Sequence, residues 1–254
     1  MKWQALVLAA GRGPGDPMAS AYGVANKCAI PVGGVAMLRR VHDALTASGL
    51  FKRIAVSIED AAIADAVLGK SARILAPAAS APASVLAALA SGAVRYPVLI
   101  TTGDHALLTP PMLAHFCAES EKSGADFTVG LARAETILAA YPQSIRTFFS
   151  LGNDRVSGCN LFAVFNARGL ALLERWQYLE QARKRPWRLV AAFGPLALLR
   201  FALGRLSLDA AFALVSARLS LTVKPVLMPF AEAAIDVDKP ADKDLAEQIL
   251  KARG

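Results

Sequence analysis

Hydrophobic positions along the chain fall into two alternating patterns. Short runs dense in β-branched and aliphatic residues, Ala5–Leu8, Arg53–Ile58, Arg73–Leu75, Val98–Thr101 and Asp126–Arg133, predict strands. Between them the apolar residues recur at helical spacing. Met37, Leu38, Val41 and Leu45 predict a helix ending near Gly49, followed by helices over Asp60–Leu68, over Ser84–Val94, and from Pro110-Pro111 to about Gly124. Strands separated by helices in this rhythm are βαβ units, which build a parallel sheet covered on both faces.

Farther along, the rhythm changes. Phe148–Leu151 and Arg155–Val156 flank the turn-type tripeptide Gly152-Asn153-Asp154 and predict a hairpin, with a separate apolar strand over Asn160–Phe165. From Ala167 to Leu219 the pattern is helical, broken at Pro186, Gly194-Pro195 and Gly204. Leu221–Met228 returns as a strand, and Asp242–Ala252 predicts a terminal helix.

Composition narrows the class of protein. The 254 residues are 55% hydrophobic and 19% charged, enough apolar material for a large core, which excludes a disordered or fibrous chain. The three cysteines, Cys28, Cys117 and Cys159, stand far apart with no metal-ligand spacing, so a reducing, cytoplasmic setting is expected. The apolar run at the N-terminus is too short for a secretion signal. The run Val190–Leu199 stops at Arg200, short of a membrane span.

Three segments carry candidate chemistry. Leu8-Ala9-Ala10-Gly11-Arg12-Gly13-Pro14-Gly15 follows the first strand, where glycines let backbone N–H groups approach an anion and Arg12 adds charge. It is neither a dinucleotide fingerprint nor a P-loop, and a plain tight turn is the alternative. Thr101-Thr102-Gly103-Asp104-His105 ends a strand, at the edge of an open α/β sheet where ligands bind. Asp104 either faces a metal and phosphates or caps the next turn. Asp236 and Asp238 share one face of an extended segment, with N-capping of the last helix as the alternative for Asp238.

In order, Leu8-Ala-Ala-Gly-Arg-Gly13, Asn26-Lys-Cys-Ala-Ile-Pro-Val-Gly-Gly-Val-Ala-Met-Leu38, Thr102-Gly-Asp-His-Ala-Leu-Leu-Thr-Pro110 and Asp236-Val-Asp-Lys-Pro-Ala-Asp242 resemble the signature segments of MobA-like NTP transferases. The resemblance covers about the first 130 residues and the last 30. It implies a Rossmann-like, GT-A type α/β fold, expected as a single domain. A nucleotide-binding half would span 1–132, an acceptor half 133–230 with a helical segment 167–219, and a metal-site segment with the terminal helix 231–254. It also implies transfer of a nucleoside monophosphate from CTP or GTP to a phosphorylated small molecule, with pyrophosphate released and Mg²⁺ required.

Residue by residue, the resemblance implies that Ala9, Ala10, Gly11, Arg12 and Gly13 cradle the nucleotide together with Thr102 and Gly103. Arg12 and Lys27 would balance the triphosphate. Asp104 would hold Mg²⁺, with Asp236 or Asp238 as a second ligand. Ser84 matches a base-contacting position, and N-capping explains it equally well. The sequence departs from the family at Gly13-Pro14-Gly15-Asp16-Pro17-Met18, where a phosphate-binding Arg is usual. Asp16 there repels a triphosphate unless it faces a metal or an amide. Two usual prolines are replaced by Ala36 and Ala106. Rival readings are a GT-A-like glycosyltransferase and a degenerate nucleotide-binding or membrane-adaptor protein.

Arg146, Ser157 and Asn160 are the polar groups expected at an acceptor site, against a surface charge or a turn as alternatives. Net charge is +8, and residues 183–224 hold eight basic residues against one acidic, Asp209, so +7 of it lies there. With Trp187, Phe193 and several leucines, this segment is a candidate for peripheral membrane contact over 183–219, for example at an inner membrane face; packing on the sheet or in a homodimer is the alternative. No nucleic-acid-binding pattern accompanies the charge.

Overall fold

A computed structural model of the 254-residue chain describes residues 2–11, 13, 15–182 and 195–253. Two compact units emerge, residues 1–115 with 235–254 and residues 116–234.

The first unit opens with β1 (Trp3–Leu8), the short helix α1 (Pro17–Ala21) and a hairpin of β2 (Pro31–Val32) and β3 (Val35–Ala36). There follow α2 (Met37–Ala47), β4 (Phe51–Ser57), α3 (Ala61–Leu68), β5 (Arg73–Leu75), α4 (Ala81–Ala90), β6 (Val98–Thr102) and the start of α5 (Pro110–Lys122), which from Phe116 on belongs to the second unit. Strands β6, β1, β4 and β5 are parallel neighbours in that order, with Leu6 opposite Ile100 on one side and Ala55 on the other. Both faces of the middle strands are apolar: Ala5, Leu6, Val7, Ala55, Val56, Leu99 and Ile100 are all buried. From α2, Met37, Leu38, Val41 and Leu45 are buried, as their spacing predicts.

In the second unit come β7 (Phe127–Arg133), α6 (Ala134–Ala140), β8 (Phe149–Leu151), β9 (Asp154–Val164), α7 (Leu170–Ala182), α8 (Pro195–Ala202), α9 (Leu208–Leu219) and β10 (Val223–Leu227). Here β10 is parallel to β7, while β9 runs antiparallel to both β7 and β8. The last helix, α10 (Pro240–Arg253), belongs to the first unit. The whole is a mixed α/β fold of the Rossmann-like type with mostly parallel strands.

The hairpin expected around Gly152 forms, but its second strand does not stop at Val156. The two runs Arg155–Val156 and Asn160–Phe165 are one strand, β9, joined through a bulge where Asn160 takes φ 49°. Three residues of β9 bulge past Gly130 of β7, because the register passes from Val129 opposite Phe162 to Leu131 opposite Gly158. A Cβ on Gly130 would meet Leu161 Cβ at 3.0 Å, so the bulge packs where the partner has no side chain. The hairpin folds onto α9 through Leu131, Val156 and Leu208, with Phe149 and Phe212 beside them.

Candidate active site

At the carboxyl ends of β1 and β6 two loops leave the first unit's sheet side by side. Residues Ala9–Gly11 continue β1, and Gly103-Asp104 continues β6, tied to β1 by a bond from the Gly103 N–H to the Leu8 carbonyl at 2.8 Å. Gly103 is required by space: a Cβ there would lie 2.9 Å from both Ala9 Cβ and Cys28 Sγ. The segment before α10 is threaded into the same place, where Val237 N–H donates to the Asp104 carbonyl.

Lys27 enters from a 3-10 turn, Lys27–Ala29, capped by Asn26, whose Oδ1 accepts from the Cys28 N–H. The Lys27 ammonium donates to Asp104 Oδ2 at 2.6 Å and to Asp238 Oδ1 at 2.7 Å. Lys27 and Asp104 are only 11% and 13% exposed, so that pair has little water around it, while Asp238, 39% exposed, forms the solvent side of the triad. Burial by itself pulls the Lys27 pKa down, but the Asp104 charge and the bonds to Asp104 and Asp238 outweigh it and hold it above the ordinary lysine value.

Asp104, Asp236 and Asp238 bring one carboxylate oxygen each to within 4.8 Å of one another. Asp104 Oδ1 is buried with no hydrogen-bond partner, an uncompensated acceptor that a cation would satisfy. Hard carboxylate oxygens on two converging loops fit a divalent ion such as Mg²⁺. Asp242, in the first turn of α10, accepts from the Asp238 and Lys239 N–H groups, while the Asp238 carboxylate accepts from Lys27.

The glycine loop answers the question raised by Asp16. Its Oδ1 accepts from the Met18 and Ala19 N–H groups and caps α1, so the charge faces amides. Gly13 and Gly15 take φ of 85° and 98°, open to glycine and strained for other residues. Arg12 lies outside the described residues, as do Arg183, Lys184, Arg185, Trp187, Arg188 and Phe193 of the basic segment.

Two participants carry no role in the sequence motifs. Glu59, just past β4, accepts from the Gly11 N–H at 3.0 Å and from Asn26 Nδ2 at 2.8 Å, and Asn26 Nδ2 also donates to the Ala9 carbonyl. Together they lock the glycine loop to the Lys27 turn. The one available signal for Glu59 was its place at the carboxyl end of a strand, shared by every strand of a parallel sheet and therefore weak. Thr102 and Gly103 adjoin Asp104. Ser84 lies on α4, which Ser80 and not Ser84 caps, and the buried Ser84 hydroxyl accepts from Ala78 N–H and donates to the Ser80 carbonyl. Ser157, buried, and Asn160 lie on β9 of the second unit, and Arg146 lies in the irregular stretch before β8.

A family model described as the MobA-like NTP transferase domain matches residues 5–193. Among solved structures, a hypothetical transferase from Thermus thermophilus superposes with TM-score 0.81 at 26% identity, covering 96% of this chain and 100% of that one. A 2-C-methyl-D-erythritol 4-phosphate cytidylyltransferase, also from Thermus thermophilus, gives TM-score 0.55 at 19% identity, covering 99% and 100%. A CMP:2-keto-3-deoxy-manno-octonic acid synthetase complexed with CTP gives 0.60 at 11% identity, over the full length of both chains. The latter two likenesses are of fold. No curated protein sequence matches significantly.

Proposed function

The chain belongs to the MobA-like NTP transferase family, and from that premise we propose that it moves a nucleoside monophosphate from an NTP to a phosphorylated small molecule. An acceptor phosphate oxygen forms a bond to the α-phosphorus as the bond from that phosphorus to the bridging oxygen breaks, and pyrophosphate leaves. The observation that carries this reading is the meeting of Lys27 with Asp104, Asp236 and Asp238 at the carboxyl edge of a parallel sheet.

Catalysis of this kind is positioning and charge neutralisation. Main-chain groups of Ala9, Ala10, Gly11 and Gly13 form the phosphate cradle, with Thr102 and Gly103 beside it. For Gly11 N–H to donate to a phosphate, its bond to Glu59 must give way. Lys27, held cationic by its aspartates, turns to the β- and γ-phosphates, and Arg12 adds a second charge on the leaving pyrophosphate. Asp104 with Asp236 and Asp238 would hold Mg²⁺, which when bound supplies charge stabilisation for the phosphates. Ser84 acts on the nucleotide through the loop 76–80 that its hydroxyl ties down.

CTP is favoured over GTP by the cytidylyl chemistry for which two of the structural neighbours are named. Arg146, Ser157 and Asn160 are the proposed acceptor-side groups. On α8 and just beyond it, the exposed Leu199 and Leu203 stand beside Arg200 and Arg205, which supports peripheral membrane contact through 183–219. Among the described residues no helix is long and apolar enough to cross a membrane.

The test is a pyrophosphate-release screen of the four NTPs with Mg²⁺ against phosphorylated acceptors. Lys27→Ala and Asp104→Ala should each lower release by at least about 100-fold, the scale of one lost charge-stabilising group. Undiminished release in both variants, or nucleoside diphosphate as the product from a nucleotide-sugar, overturns the assignment.

A further inference from the structure

At the amino ends of β4 and β5, opposite the proposed catalytic edge of the same unit, cations gather with no acid to meet them. Strand β4 opens at Phe51-Lys52-Arg53, β5 opens at Arg73, and the turn Gly69–Ser71 supplies Lys70. Ala55 is the partner of Arg73 across the parallel pair, and Arg53 lies two residues before Ala55, so both arginines leave the same face of the sheet. Lys52, Arg53, Lys70 and Arg73 line a cleft of about 650 Å³, with His42 and Ser71 in its wall. A smaller hollow of about 230 Å³ shares Lys52 and Arg53 and adds Arg95.

Among the described residues lining these hollows there is no carboxylate, and none of the five cations has an ion-pair partner. Three other cations of the unit are paired with carboxylates: Lys27 with its aspartates, Arg39 with Asp43, Lys243 with Glu247. Like charges around one concavity repel each other and raise its potential, and an anion in it relieves both effects. The wall also offers hydrogen-bonding groups. Ser71 Oγ donates to the Leu68 carbonyl at 2.7 Å and keeps lone pairs toward His42 Nε2, 3.5 Å away. His42 is 5% exposed, and its Nδ1 has no hydrogen-bond partner, with the Asp43 carboxylate 3.9 Å away.

The shape selects the ligand. A concavity of this volume lies in the range of small-molecule sites, roughly 300–1,000 Å³. A lipid surface would call for exposed apolar anchors; the large apolar residues in the cleft's lining, Phe51 and Ile54, are half-buried, and none of the large exposed hydrophobic residues of the described chain lines it.

We propose that this cleft is a second anion site, which binds a small molecule carrying two or more phosphate groups through Lys52, Arg53, Lys70 and Arg73. It is separated from the Lys27 cluster by the length of β4, about 20 Å for seven residues at the usual rise.

Inorganic pyrophosphate is the probe, titrated into the full chain with ¹⁵N amide shifts read residue by residue. Amides of 51–54 and 70–73 should shift and saturate. The double variants Arg53→Gln/Arg73→Gln and Lys52→Gln/Lys70→Gln should each weaken that response at least tenfold while melting like the parent. Unchanged affinity in both variants overturns the proposal. So do shifts confined to Gly11 and Lys27, an outcome that leaves the catalytic reading standing. Binding of phosphatidylglycerol vesicles through these residues with no response to pyrophosphate overturns it in favour of a membrane surface.

Discussion

Asp16 and Gly103 show how much single positions depend on their neighbours. A carboxylate just past the glycine loop is unfavourable beside a triphosphate, yet Asp16 is buried and held by two amides at the start of α1. Asp16→Ala removes that cap, and a loss of about 1 kcal/mol is expected from the urea midpoint, with weaker NTP binding as the loop loosens. Gly103→Ala places a methyl 2.9 Å from Ala9 Cβ and Cys28 Sγ, neither of them the end of a flexible side chain. It should cost about 1–3 kcal/mol by denaturation and lower turnover through displacement of Asp104. The family motifs singled out Lys27, Asp104, Asp236 and Asp238 as candidates, but could not assign partners, because a hydrogen bond across 211 residues, such as Lys27 to Asp238, has no local sequence signal. It equally could not rank Glu59 above other polar residues that follow strands.

Among the elements, strands and helices with strong periodicity stand close to where their patterns place them: α2 over Met37–Ala47, β5 over Arg73–Leu75 and β10 over Val223–Leu227. Local chemistry is sufficient there, since burial of one stripe or both faces defines the period. The joining of two predicted strands into β9 was invisible, because a bulge is stabilised by the partner strand and by the space over Gly130. Helix α6 over Ala134–Ala140 was also missed, being a short segment held by packing against β7 and β9.

The start of β7 is fastened in a way that can be titrated. Asp126 is buried, which by itself raises its pKa. The Thr222 N–H, the Asn166 amide and the Arg168 charge outweigh that and hold it below the usual carboxylate range. Its contribution to stability is therefore full above the ordinary carboxylate pKa and is lost as pH falls through the lowered value. Asp126→Asn should be less stable than the parent at neutral pH, with the gap in urea midpoint closing as the solution is acidified below the ordinary carboxylate range.

For the whole molecule, occupancy of the first unit's site should show itself as stability. With Mg²⁺ and the correct NTP at about 100 times the dissociation constant, linkage predicts a gain of about 2.7 kcal/mol. That gain should vanish on adding EDTA or in Asp104→Asn, and a thermal scan of the four NTPs would identify the base. Unequal distribution of charge is a whole-chain property as well. The sequence located most of the +8 in residues 183–224, because counting needs no geometry. It did not mark Lys52, Arg53, Lys70 and Arg73 as a group, because they lie in separate elements among ordinary numbers of acids.

By itself the sequence determined the alternation of strands and helices, the fold class and the family, since periodicity and short motifs are properties of neighbouring residues. The tertiary structure alone decided that Asp104, Asp236 and Asp238 converge around Lys27 and that four distant cations face one cleft. Each of these depends on which chain ends a parallel sheet brings to the same edge, and strand order is set by packing of whole elements rather than by any local run of residues.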